Sequence, residues 1–153
     1  MIVVDASALL EMLLRTSLAG RVTERLFDPG HSLHAPHLID LEVAQVLPRS
    51  CAAGKMSGQR AEEALDDLGL LRLMRHPHSL YIKRVWELRN NFTAYEAAYV
   101  ALAEALSAPL ITCDQALAQS RLHRAIHRTA LSLSPRRQPA PYTSYTSDGP
   151  IKG

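Results

Sequence analysis

Apolar and polar positions along the chain fall into short, punctuated blocks. The first is Ile2, Val3 and Val4 followed by Asp5, which predicts a buried parallel strand over residues 2–5 that delivers a carboxylate at its end. Ala8 to Leu14 reads as a helix with Ser7 near its N-cap. Arg21 to Phe27 is a second amphipathic helix, closed by the turn Asp28-Pro29-Gly30. His31 to Ala35 is a short candidate strand, Pro36 stands at a helix start, and His37 to Leu47 is a helix that Pro48 is expected to stop. Gln59 to Leu68 is helical in composition, Leu70 to Met74 is a candidate strand, and His76-Pro77 breaks it. Leu80 to Arg89 predicts a helix, Asn90-Asn91 a break, and Thr93 to Leu106 an Ala- and Leu-rich helix. Leu110 to Cys113, running into Asp114, repeats the opening pattern, and a helix over Gln115 to Ser120 and a last strand near Thr129 to Leu133 complete the series.

Strands alternating with helices predict an α/β fold around a parallel sheet, in which sites lie at the carboxyl ends of strands. Asp5 and Asp114 both occupy that address. The segment from Ser134 to Gly153, with four prolines among Ser, Thr and Gly, is expected to be a disordered tail.

Composition narrows the class. At 153 residues the chain has the length of one domain, with 47% hydrophobic and 21% charged residues. No apolar run approaches the roughly 18 residues of a membrane span, and no basic region precedes the first apolar residues, so a cytoplasmic protein without membrane attachment is expected. Cys51 and Cys113 lack C-x-x-C spacing and predict neither a disulfide framework nor a zinc site. The net charge of +2 conceals an asymmetry of −3 over residues 1–114 and +5 beyond them. Arg121, Arg124 and Arg128, with His123 and His127, form a basic cluster compatible with a polyanion and equally with solvated surface.

Four carboxylates carry the candidate chemistry. Asp5 and Asp114 each stand before a helix, where a cap and a functional group are both open readings. Glu42 shares the i, i+4 stripe of Leu38 and Val46, which leaves two readings open, a carboxylate on the apolar side that calls for a partner or one on the solvent edge with Gln45, whereas Asp40 reads as surface. Glu96 closes the capping box Thr93-Ala94-Tyr95-Glu96, yet the same position offers a ligand at the sheet edge. Acidic groups gathered on one edge repel one another unless a divalent cation neutralises them, and an all-oxygen set suits Mg²⁺ or Mn²⁺ and phosphodiester hydrolysis.

The ordered blocks MIVVDASALLEMLL, HAPHLIDLEVAQVL, WELRNNFTAYEAAYVALAEAL and LITCDQALA resemble the PIN-domain endoribonucleases of the VapC toxin type, over nearly all of residues 1–133. The resemblance implies a three-layer α/β/α sandwich with a central parallel sheet at residues 1–133 and leaves 134–153 as a tail. It implies RNA cleavage dependent on Mg²⁺ or Mn²⁺, a homodimer, and a cognate VapB-like antitoxin. By position Asp5, Glu42, Glu96 and Asp114 form the implied catalytic set, with Asp5, Glu96 and Asp114 as metal ligands and Thr112 and Arg89 as helpers. Glu96 departs from the family's usual Asp, and Pro48 interrupts a helix the family tends to continue. Trp86, Tyr95 and Tyr99 read as core or interface aromatics rather than base-stacking platforms. Two other readings stay open: a PIN-like RNA- or protein-binding module in which Glu96 only caps, and a phosphotransfer enzyme, which would want a second Asp two residues after Asp5.

Overall fold

The computed structural model describes residues 1–119. Four strands, β1 (Ile2–Val4), β2 (Leu33–Pro36), β3 (Leu73–His76) and β4 (Leu110–Ile111), form one parallel sheet in the order β3-β2-β1-β4. Between them run α1 (Ala6–Leu13), α2 (Ala19–Leu26), α3 (Leu38–Ala52), α4 (Gly58–Leu70), α5 (Ile82–Glu87) and α6 (Ala94–Leu106), and α7 (Gln115–Gln119) follows β4. The chain steps one way along the sheet from β1 to β3 and then back across it to β4. With right-handed crossovers, that reversal puts α1 to α4 on one face and α5 and α6 on the other, giving the expected α/β/α sandwich. It also places the topological switch point between β1 and β4, where open parallel sheets bind ligands.

Burial follows from this layering. Val3, Val4, Leu110 and Ile111 are covered on both faces, and each such side chain stabilises the fold by about 1.5–3 kcal/mol. Helix α6 is buried along Ala97–Ala103 and lies against β1 and β2. Its alanines let backbone approach backbone closely. Arg84 of α5 donates to Glu104 of α6 at 2.6 and 2.9 Å, and Arg75 of β3 clamps Asp40 of α3 at 2.8–2.9 Å, so Asp40 is an ion-pair partner rather than idle surface.

Several boundaries differ from the sequence expectation. Pro48 does not stop α3, which continues to Ala52. Its missing N–H would have bonded the Ala44 carbonyl, and both residues face solvent, so that carbonyl is not left buried, while Leu47 and Ser50 anchor the helix inward. Pro36 ends β2 instead of opening a helix, two residues past His34, the last residue of β2 that β1 pairs with. The apolar run after Leu68 divides between the end of α4 and β3, so the strand begins at Leu73 and Leu70 stays exposed. Leu80–Arg89 is not one helix: α5 is short and flanked by 3-10 turns at His78–Tyr81 and Leu88–Asn90. The expected strand near Thr129–Leu133, the basic cluster and the tail lie outside the described residues.

Candidate active site

The carboxyl ends of β1 and β4 are in register, with Val4 opposite Ile111, so the residues that follow, Asp5 and Thr112, are neighbours. Asp5 is the N-cap of α1, its Oδ1 accepting from the Ala8 amide at 3.1 Å; Ser7, expected near the cap, lies inside the helix. The same Oδ1 accepts the Ser7 hydroxyl at 2.6 Å, and Oδ2 accepts the Thr112 hydroxyl at 2.6 Å. Asp5 is only 5% exposed, and among the described residues the donors bonded to it are all neutral. Burial therefore pushes its carboxyl above the ordinary carboxylate range, and the hydrogen bonds offset only part of that rise.

Ser7 and Thr112 tie the two strand ends together. Ser7 Oγ accepts the Cys113 amide at 2.8 Å, and Thr112 Oγ1 accepts the Asp114 amide at 3.0 Å. Asp114 thereby stands on the same network as Asp5, exposed to solvent, with Oδ1 accepting the Leu117 amide at 3.2 Å. Thr112 is fully buried and bonded to Asp5.

Glu42 projects from α3, and the partner that the inward reading calls for is Tyr99 of α6, whose hydroxyl donates a short hydrogen bond to Glu42 Oε2. Burial raises the Glu42 carboxyl above its ordinary value, the Tyr99 hydrogen bond lowers it, and the Asp5 charge raises it again. Glu96 completes the capping box of α6: its Oε2 accepts the Thr93 N–H at 2.8 Å and the Thr93 hydroxyl at 2.7 Å, while Thr93 Oγ1 accepts the Glu96 N–H at 3.3 Å.

Asp5, Glu42, Glu96 and Asp114 all line one cleft of about 250 Å³, together with Ser7 and Tyr99. Among the described residues, however, no three His, Cys, Asp or Glu side chains converge tightly enough to form a preassembled metal cage. Arg89 does not line the cleft; its guanidinium stacks 4.4 Å above the Trp86 ring and donates to the Trp86 carbonyl at 2.9 Å. Trp86 and Tyr95 are exposed rather than core, whereas Tyr99 is buried. Sequence reasoning did not assign Ser7 or Tyr99 to the site. A signal existed for Tyr99, which follows Glu96 by three residues and so shares its helix face.

The oxygen-only donor set and the buried, neutrally solvated charge of Asp5 fit a hard divalent cation. Such ions keep several waters and need only a few direct carboxylates, so the absence of a compact cage is compatible with them.

The PIN domain family matches residues 2–121. Ribonuclease VapC1 of Mycobacterium tuberculosis is 43% identical over 117 residues, covering 76% of this chain and 87% of the relative. Ribonuclease VapC9 of the same organism is 40% identical over 120 residues, covering 78% and 91%, and Ribonuclease VapC12 is 38% identical over 125 residues, covering 82% and 95%.

Proposed function

The chain belongs to the PIN-domain family, in its VapC ribonuclease branch, and we propose that it is a divalent-metal-dependent endoribonuclease acting as the toxin of a toxin–antitoxin pair. The observation that carries this reading is Asp5, a carboxylate buried at the switch point of the sheet, bonded among the described residues only by neutral donors and opening on a cleft it shares with Glu42 and Asp114.

When bound, Mg²⁺ or Mn²⁺ supplies Lewis acidity at the scissile phosphate and acidifies a coordinated water. Asp5 and Asp114 are the residues that would hold it, directly or through water. Thr112 and Ser7 fix the Asp5 carboxylate so that little reorganisation is left for the reaction. Glu42, steadied by Tyr99, orients the attacking water and accepts its proton, and a carboxylate of raised basicity suits that role better than an ordinary glutamate. As the water oxygen bonds to phosphorus, the bond from phosphorus to the leaving oxygen breaks, and that oxygen takes a proton from solvent.

A homodimer, neutralisation by a VapB-like antitoxin and a cytoplasmic location belong to the same proposal. No helix of the described residues is long and apolar enough to cross a membrane. The test is cleavage of total RNA by purified protein with Mg²⁺ or Mn²⁺, with Asp5→Asn abolishing it, and growth arrest on expression relieved by the same substitution. RNA binding without cleavage would favour the binding-module reading, and an acid-labile phosphoenzyme the phosphotransfer one.

A further inference from the structure

We infer that Tyr95 is the base-stacking residue of the cleft, its ring taking the face of an unpaired RNA base next to the scissile phosphate. The inference rests on the reading of the cleft as a ribonuclease centre. The sequence reads Tyr95 as a core or interface aromatic, but the side chain is 66% exposed and lines the cleft with the four carboxylates. It stands in the first turn of α6, four residues before Tyr99, so the two share one helix face. Tyr99 is buried and bonded to Glu42, whereas Tyr95 opens to solvent at the N-terminal end of that face. Among the described residues none bonds the Tyr95 hydroxyl or stacks on its ring. Trp86 is as exposed, but it does not line the cleft, and the Arg89 guanidinium covers one face of its ring.

The chemistry of the walls gives the ring its importance. Among the described residues the cleft is lined by Asp5, Glu42, Glu96 and Asp114 and by no Lys or Arg. Phosphates gain nothing from ion pairing with such walls, and a bound cation alone offsets the repulsion. The cation fixes the scissile phosphate but gives no hold on the nucleosides beside it. A neutral aromatic face supplies that hold without charge. It accepts any base, because every base has a π-face, and it reaches only bases that are free of a duplex stack. The backbone that carries Tyr95 is already fixed by the capping box and by the burial of α6 along Ala97–Ala103, so little ordering is left for binding to drive.

Initial rates of the full chain with Mn²⁺ over a range of total RNA concentrations test the inference. Tyr95→Ala is expected to raise KM by roughly fivefold to a hundredfold with kcat within about twofold of wild type, since a stack remote from the reacting bonds holds ground state and transition state alike. Tyr95→Phe and Tyr95→Trp keep a ring and are expected to keep KM within about twofold, while Tyr95→Leu, apolar without a π-face, loses affinity with the alanine variant. Stacking releases no counterions, so the KM ratio of Tyr95→Ala to wild type should be the same at low and high salt. The side chain is exposed, so Tyr95→Ala should melt with wild type and keep its oligomeric mass. An alanine variant with wild-type KM, a phenylalanine variant as weak as alanine, or a leucine variant as good as wild type overturns the stacking role and leaves the ribonuclease reading standing. A KM loss that comes with a changed oligomeric mass overturns it too and assigns Tyr95 to a protein interface. A wild-type protein that does not cleave RNA with Mn²⁺ overturns the ribonuclease reading itself.

Discussion

Replacing Thr112 by valine keeps the shape of a fully buried side chain and removes one oxygen, which makes it a sensitive probe of the strand-end network. That oxygen donates to Asp5 Oδ2 at 2.6 Å and accepts the Asp114 amide at 3.0 Å. A bond to a charged group contributes about 1.5–3 kcal/mol and a neutral one about 1 kcal/mol, so the substitution should destabilise the metal-free protein by roughly 3 kcal/mol at pH 7. For a domain of this size that corresponds to a fall of roughly 10–15 °C in melting temperature. The larger share depends on Asp5 being ionised. Asp5 has a folded pKa above its unfolded value, so the difference between variant and wild type should narrow as pH falls through the folded pKa toward about 4. Thermal melts of both proteins across pH 4–8 measure it. A loss under about 1 kcal/mol, or one that stays constant with pH, would refute the reasoning.

Tyr99→Phe removes the hydroxyl that lowers the Glu42 carboxyl; the acid limb of the pH–rate profile should move to higher pH with KM little changed, read from initial rates on an RNA substrate. Pro48→Ala restores an N–H within α3 and should stabilise the protein by about 1–2 kcal/mol in urea unfolding, less than the full helix penalty of proline because the unfolded chain also becomes more flexible.

What the sequence disclosed about the site was placement. A short apolar strand running into Asp occurs twice, at Asp5 and Asp114, and in a parallel sheet that pattern alone puts both carboxylates at the carboxyl edge. The apolar stripe of α3 offered Glu42 two directions, of which the inward one is realised, and the capping box at Thr93 and Glu96 is a local motif that formed as written. What it did not disclose was pairing between distant segments. Ser7 and Thr112 are 105 residues apart in the chain, and Glu42 and Tyr99 are 57 apart, so their contacts depend on strand register and helix docking that no local pattern encodes. Pro48 misled because the rule that proline ends a helix assumes the freed carbonyl is costly, and here the Ala44 carbonyl lies on the solvent face. The run LGLLRLM was ambiguous because its leucines satisfy the end of a helix and the start of a strand equally well.

The central claim is that the charge on Asp5 burdens the empty fold and becomes an asset once a cation is bound. Asparagine can still cap α1 and accept from Ser7 and Ala8, so Asp5→Asn removes the charge with little change in shape. Melting both proteins at neutral pH with and without Mn²⁺ tests the claim most directly. The variant should melt above wild type without metal, and the order should reverse with Mn²⁺ present. A variant that melts below wild type without metal and gains as much from Mn²⁺ as wild type does would contradict it.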